Sequence, residues 1–174
     1  MPVPERPGQV YAMDFVMDRI VNGRRFRCLT MVDQRSKECP VIEVDYSING
    51  GRVCQTLEPA LEGRPKPDIL MMDNGPEFAG KALDAWAYRQ GIKLQFIRPG
   101  KPVENCFIES FKDKFRKECS NDNWFLSLPE AQTVIEEWRR DYNEVRPHSS
   151  LDDLTPMEYI KKQQEEAQQQ TAAT

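Results

Sequence analysis

The sequence is poor in the two residues that most often bind zinc. Its single histidine is His148, and no pair of cysteines has the C-x-x-C spacing. A zinc finger or zinc knuckle is therefore excluded, and any metal bound by this chain must be held by oxygen ligands. The cysteines are odd in number and widely spaced, so we predict reduced thiols in the core rather than a disulfide framework. They are Cys28, Cys39, Cys54, Cys106 and Cys119.

The chain also lacks long apolar runs and an excess of basic residues. No apolar run approaches the roughly 20 residues of a membrane span. Residues 1–8 contain three prolines and no apolar signal-peptide core, so we expect a cytoplasmic protein without membrane association. The net charge of −4 over 174 residues argues against a protein whose whole surface binds nucleic acid, because such proteins are usually basic.

Length and composition predict one folded domain. We expect a flexible lead-in at 1–8, a core at 9–163 and a disordered polar tail at 164–174. Alternating and apolar stretches predict strands at 9–17, 24–32, 37–46, 68–72 and 92–97. Helical spacing and stop signals predict helices near 48–61, 76–90, 103–120, 128–142 and 156–166. Three antiparallel strands followed by βα units predict an α/β fold with a five-stranded mixed sheet flanked by helices.

A carboxylate follows one of the predicted buried strands directly. Residues 69–72 are apolar, and Asp73-Asn74-Gly75-Pro76 then supplies turn chemistry. One interpretation is that Asp73 serves only the turn. The other is that Asp73 is a metal ligand at the end of a strand, which requires partner carboxylates from elsewhere in the chain.

Two further acidic residues are candidate partners of Asp73. Asp14 lies within the apolar stretch YAMDFV, where a buried carboxylate would need a cation. Glu109 lies on a predicted helix, opposite an apolar stripe of phenylalanines. The alternatives are an outward-facing strand residue and an ordinary ion-paired helix face. Together, however, the three acids could hold two Mg²⁺ ions about 3.5–4 Å apart, an arrangement that promotes phosphoryl transfer.

Four stretches form a recognisable pattern around these acids. They are AMDFV at Asp14, MDNGPEF at Asp73, RPGKPVENCFIESF at Glu109, and FLSLPEAQTVIEEWRRDYNEVRPHSSLDDLTPMEY. Between Asp73 and Glu109 there are 35 residues. The pattern covers 9–159 and resembles the catalytic core of bacterial insertion-sequence transposases, the second open reading frame (OrfB-type) products of the retroviral integrase superfamily.

The resemblance implies a fold, a metal and a reaction. The implied fold is RNase H-like, with the first and fourth strands adjacent. Asp14, Asp73 and Glu109 would be the catalytic and metal-binding residues of a DDE transposase, holding two Mg²⁺ ions or Mn²⁺ as a substitute. The implied reactions are nicking of DNA at transposon ends and transfer of the freed 3′-OH strand to target DNA, that is, DNA recombination, integration and transposition.

The resemblance also implies macromolecular partners. These are double-stranded DNA, at both the transposon ends and the target, and further copies of the chain in a homodimer or higher assembly. An N-terminal DNA-binding region, or a companion protein, would be missing from this chain. Basic residues outnumber acidic ones seven to three between 93 and 117. The implied DNA contacts are Asn105, Lys112, Arg116, Arg98 and Lys101.

Some positions keep alternative interpretations. Asp113 departs from the basic residue expected four after Glu109, and either Lys112 or Lys114 could make that DNA contact in its place. Arg98 and Lys101 are equally compatible with a solvated loop. His148 is predicted to cap a turn, and three aromatic residues are predicted to be core or dimer contacts: Trp124, Phe125 and Trp138. For the whole chain, the alternatives are a ribonuclease H or other nuclease on the same fold, and a non-catalytic remnant that dimerises or binds nucleic acid.

Overall fold

Five strands form one mixed sheet with helices on both of its faces. The computed structural model describes residues 3–98, 100 and 106–173. The strands are β1 (Val10–Arg19), β2 (Arg25–Asp33), β3 (Val41–Asp45), β4 (Ile69–Met72) and β5 (Lys93–Phe96). The helices are α1 (Gly50–Leu61), α2 (Lys81–Gln90), α3 (Cys106–Phe115), α4 (Leu128–Glu144) and α5 (Pro156–Ala172). A π-helical turn at Arg116–Ser120 extends α3, and a 3₁₀ turn at Ser149–Leu151 precedes α5.

The strand order in the sheet is β3-β2-β1-β4-β5. β1 pairs antiparallel with β2, and β2 pairs antiparallel with β3. β4 runs parallel to both β1 and β5. The predicted five-stranded mixed sheet is therefore confirmed, and the first and fourth strands are neighbours at its centre.

Side chains on the sheet alternate between two buried cores. On one face, Tyr11 and Met13 pack with residues of α1 and α2. On the other face, Ala12 and Val16 pack with residues of α3 and α4. Asp14 follows the same alternation as Ala12 and Val16, so it lies on the face that α3 covers.

Two helix boundaries differ from the sequence prediction. α2 begins at Lys81 because residues 76–80 form a turn, in which the backbone N–H groups of Phe78 and Ala79 donate to the Gly75 carbonyl oxygen. α5 continues to Ala172, so residues 164–172 of the predicted disordered tail are helical in the structure. Among the described residues, no helix combines the length and apolar character needed to cross a bilayer.

The cysteines are free thiols, but not all of them lie in the core. Cys28, Cys39 and Cys119 are buried, and burial raises the pKa of Cys39 to about 12. Cys106, by contrast, is exposed. The prediction of a core thiol is wrong there because Cys106 lies three residues before Glu109, on the solvent side of α3.

The loop that leads into α4 carries two aromatic residues with opposite environments. Phe125 is buried and its ring packs edge-on against Phe26, with the ring centroids 5.8 Å apart. Trp124 is 81% exposed, so it is not a core residue. Trp138 on α4 is buried as predicted, and packs against Phe111 of α3. A dimer contact of Trp124 stays a prediction.

Candidate active site

The pairing of β1 with β4 predicts that Asp14 and Asp73 are neighbours. In the parallel ladder of β1 and β4, Ala12 lies opposite Met71. Continuing this register by two residues puts Asp14 opposite Asp73, just beyond the end of β4. The two acids are 59 positions apart in the sequence, but the topology of the sheet brings their backbones together.

Asp73 is exposed and held in a tight turn. Its Oδ1 accepts a hydrogen bond of 2.9 Å from the backbone N–H of Gly75. A Cβ atom at position 75 would lie 3.0 Å from Oδ1 of Asp73 and 3.4 Å from Oε2 of Glu77. Glycine therefore leaves the space in which these two carboxylates sit.

Asp14 is paired with a lysine from α3. Nζ of Lys112 lies 2.8 Å from Oδ2 of Asp14 and 3.5 Å from Oε1 of Glu109. The side chains of Asp14 and Lys112 are only 15% and 12% exposed, whereas that of Glu109 is 50% exposed. The other oxygen of Asp14 accepts a 2.8 Å bond from the Phe15 N–H. α3 thus brings Glu109 to Asp14 through a shared ammonium group.

The donor set suits a hard divalent cation. Carboxylate oxygens are the ligands that Mg²⁺ prefers, and the ammonium of Lys112 shows that the space between Asp14 and Glu109 accommodates positive charge. Within the described residues, no three Asp, Glu, His or Cys side chains approach closely enough to hold a metal ion. In the structure, Asp14 and Glu109 therefore both contact the ammonium group of Lys112. Asp73 lies in its own turn after β4.

The predicted DNA contacts fall into three groups. Asn105 and Lys101 lie outside the described residues. Arg98 follows β5 and Arg116 begins the π-helical turn, and both are exposed. Lys112 differs from these residues because its ammonium is half-buried against carboxylates rather than presented on the surface.

Arg27 and Glu77 form an ion pair beside the Asp73 turn that the sequence did not predict. Nη1 of Arg27 lies 2.5 Å from Oε1 of Glu77, and its guanidinium stacks on the Phe15 ring at 3.9 Å. Burial is the largest single influence on Glu77 and opposes its ionisation, but the hydrogen bond from Arg27, a backbone hydrogen bond and the charge of Arg27 together outweigh burial and lower the pKa of Glu77. Glu77 lies within the MDNGPEF motif, but its partner Arg27 lies on β2, 50 positions away in the sequence. Only the fold brings the two together.

His148 is a buried structural residue. It precedes the 3₁₀ turn, but its side chain makes no capping hydrogen bond, so the predicted capping role is not found. Its backbone carbonyl oxygen instead accepts a hydrogen bond from the Leu151 N–H. The ring packs edge-on against Tyr142, and Nδ1 lies 3.5 Å from Nζ of Lys114. Burial first, and then the neighbouring lysines, lower the pKa of His148 to about 4. The side chain is therefore neutral at physiological pH.

Comparison with protein families identifies the chain. Two family models described as integrase core domains match residues 4–102 and 90–156. The first match alone covers more than half of the chain. The chain therefore belongs to the integrase core domain family.

Its relatives are bacterial insertion-element proteins. The chain is 49% identical to the IS407 uncharacterized 31.7 kDa protein of Burkholderia multivorans, over 92% of this chain and 58% of that protein. It is 45% identical to the IS476 uncharacterized 39.2 kDa protein of Xanthomonas euvesicatoria, over 88% and 44%. It is 26% identical to the putative transposase InsK for IS150 of Escherichia coli, over 88% and 55%. The chain thus spans about half the length of these relatives.

Solved structures share the fold. The chain superposes on the simian T-cell lymphotropic virus intasome with a TM-score of 0.78 at 16% identity, over 92% of this chain and 56% of that one. The HTLV-2 integrase catalytic core domain in complex with magnesium, in its dimeric form, gives 0.63 at 17% identity, over 89% and 97%. The RNase H-like fold and the resemblance to insertion-sequence transposases, both predicted from the sequence, are confirmed.

Proposed function

We propose that this chain is the catalytic core of a DDE transposase that nicks DNA at transposon ends and transfers the 3′-OH strand to target DNA. The observation that carries the proposal is the shared contact of Asp14 and Glu109 with the ammonium group of Lys112 in an integrase-type fold. Continuing the pairing of β1 with β4 predicts that Asp73 lies opposite Asp14.

The three acids lie on different elements of the fold, and each carboxylate is oriented differently. Asp14 stands on a central strand and its Oδ1 is oriented by a backbone N–H, so its position is rigid. Asp73 is oriented by the Gly75 N–H in a turn. Glu109 is half exposed on α3 and has room to move toward a ligand. Two strand-borne carboxylates and one helix-borne carboxylate suit a site that closes around its substrate.

Asp14, Asp73 and Glu109 would hold two Mg²⁺ ions, or Mn²⁺ in their place. When bound, such ions lower the pKa of an attacking water or 3′-OH and stabilise the charge on the phosphodiester. The side chains themselves form no covalent bond to DNA. Their part is to fix oxygen ligands at the junction of β1, β4 and α3.

The basic residues beside Glu109 would position the duplex. Arg98 and Arg116 are exposed, and with Asn105 and Lys101 they belong to the stretch in which basic residues outnumber acidic ones. Contacts of this kind bind phosphates and orient the DNA without reading its sequence. Recognition of transposon ends is therefore assigned to a region or companion protein outside this chain.

The proposed assembly is a homodimer or a larger complex in the bacterial cytoplasm. The HTLV-2 core is described in dimeric and trimeric forms, and the simian viral relative as an intasome. We propose that this core, assigned to residues 9–163, likewise acts as a multimer on double-stranded DNA.

The nuclease alternative on this fold would favour a fourth carboxylate at the site. Asp18 and Glu77 are the acids nearest in sequence to Asp14 and Asp73, and both have other partners. Glu77 pairs with Arg27, and Asp18 accepts a hydrogen bond from the Ser120 hydroxyl.

The test uses matched variants in a nicking assay with supercoiled plasmid and Mn²⁺, together with Mn²⁺ binding. Asp14→Asn, Asp73→Asn and Glu109→Gln should each lower nicking by at least about 100-fold, because each keeps the shape but removes a charged oxygen ligand. Asp113→Asn, an exposed acid on the same helix, is the control and should nick like the parent. Parental nicking and Mn²⁺ binding by Asp73→Asn would reduce Asp73 to a turn residue.

A further inference from the structure

Lys112 contacts two of the three acids that the proposed function treats as metal ligands. We propose that its ammonium group is an internal counter-ion, which holds Asp14 and Glu109 together in the metal-free protein and is displaced when a divalent cation binds. The inference rests on the proposed function, since it treats the two acids as metal ligands.

The contacts of Lys112 identify it as part of the site. It approaches Asp14 at 2.8 Å and Glu109 at 3.5 Å, and only 12% of its side chain is exposed. A half-buried carboxylate and a half-buried ammonium each need the other, because removing either leaves an uncompensated charge of low exposure. Lys112 is therefore a positioning residue and not an ordinary surface lysine.

The same geometry makes lysine and metal mutually exclusive. A divalent cation that binds Oδ2 of Asp14 and Oε1 of Glu109 would take the place of Nζ, and two cations repel strongly at such short range. The flexible four-carbon stem of lysine allows the ammonium to leave without movement of the helix. Binding of the metal would then require rotation of the Lys112 side chain and a closer approach of the Glu109 carboxylate, because Mg²⁺ binds oxygen at about 2.0–2.1 Å.

This role also accounts for the state of the three acids. Asp14 and Glu109 share Lys112, while Asp73 is engaged with the Gly75 N–H. The single positive charge of Lys112 is already outweighed by the two negative charges of Asp14 and Glu109. It therefore provides no attraction for the third carboxylate, that of Asp73. Asp73 would be available as a further oxygen ligand for a divalent ion, since Mg²⁺ takes six oxygen ligands.

The experiment measures Mn²⁺ binding to the DNA-free chain by the EPR signal of free Mn²⁺. Lys112→Met should tighten the dissociation constant for Mn²⁺ about tenfold, because the competing charge is gone. Without metal, the same variant should melt at a lower temperature than the parent, since the low-exposure carboxylate of Asp14 then lacks the ammonium group of Lys112. Saturating Mn²⁺ should close that gap.

Lys117→Met is the matched control. It removes the same charge from an exposed position just beyond α3, so it reports the general effect of one less cation near the site. We expect it to change the dissociation constant less than about twofold. If Lys112→Met fails to fold by circular dichroism, Lys112→Gln replaces it with the same expectations.

The outcomes separate this inference from the proposed function. Unchanged or weaker Mn²⁺ binding by Lys112→Met, or the same gain in Lys117→Met, overturns the counter-ion role. Mn²⁺ binding by Asp14→Asn at the parental level would show instead that the proposed metal site is wrong. Loss of binding in Asp14→Asn, together with the gain in Lys112→Met, supports both.

Discussion

At the scale of single residues, the fold gives each acid a different environment. Asp14 is half-buried and paired, Asp73 is exposed in a turn, and Glu109 is half exposed on a helix. The turn interpretation of Asp73 and its interpretation as a ligand are compatible, because the Gly75 N–H occupies one carboxylate oxygen and orients the group. A residue whose sequence context predicts an ordinary turn can therefore also be a candidate metal ligand.

Gly75 provides a residue-scale prediction. In Gly75→Ala, the added Cβ would lie 3.0 Å from Oδ1 of Asp73 and force that carboxylate to shift. We expect plasmid nicking to fall about tenfold, because small displacements of positioned groups are costly. The melting temperature should change little, since alanine also reduces the entropy of the unfolded chain.

The control for this prediction is Gly51→Ala in α1. There the new Cβ would be 3.5 Å from Oδ1 of Asn49, an ordinary contact. Parental nicking by Gly75→Ala would mean that the position of the Asp73 carboxylate does not limit the reaction.

At the scale of elements, the helices of the chain differ in how they are stabilised. α3 and α4 share an aromatic core in which Phe111 packs on Trp138 and Tyr142. α5 begins with a capping box, in which the Thr155 hydroxyl accepts from the Glu158 N–H, but Pro156 is its only fully buried residue. Tertiary packing therefore holds the first two helices, while α5 depends mainly on local interactions.

The end of α5 provides the element-scale prediction. Residues 164–172 are helical but exposed, so we still expect them to fray in solution, as their polar composition predicts. Amide hydrogen exchange should show almost no protection there and measurable protection near 158–162. A chain ending at 163 should melt within about 2 °C of the parent.

Strong protection throughout 164–172 would contradict this prediction. It would indicate that another surface covers the helix in solution. Comparing dilute and concentrated samples would then show whether that surface belongs to a second copy.

At the scale of the whole molecule, charge and size define the partners. The chain is acidic overall, but the stretch 93–117 has four more basic than acidic residues. This uneven distribution allows a DNA-facing surface on an acidic protein, because phosphate contacts act over about one Debye length, roughly 8–10 Å in physiological salt.

The oligomeric state is the prediction at this scale. We expect sedimentation equilibrium at micromolar concentrations to give a mass of twice 20.2 kDa or more. The reason is that the proposed strand transfer would join two DNA segments, which one small core could hold only poorly. The Asp113→Asn variant should sediment like the parent, and a monomeric mass across the micromolar range would contradict the prediction.

The sequence by itself determined the strands, most helices and the three candidate acids. These features depend on local patterns, such as apolar alternation and the MDNGPEF turn, which the chain carries within a few residues. Helix ends were less predictable, because the turn at 76–80 and the extension of α5 depend on individual capping bonds.

Only the tertiary structure decided which charges meet. Lys112 faces Asp14 from 98 positions away, and Arg27 faces Glu77 from 50. Neither pairing leaves a local pattern, because a lysine on a helix and an arginine on a strand look the same in sequence whether they meet solvent or a carboxylate. The packing of α3 on β1, and of β1 between β2 and β4, brings these charges together across long stretches of chain.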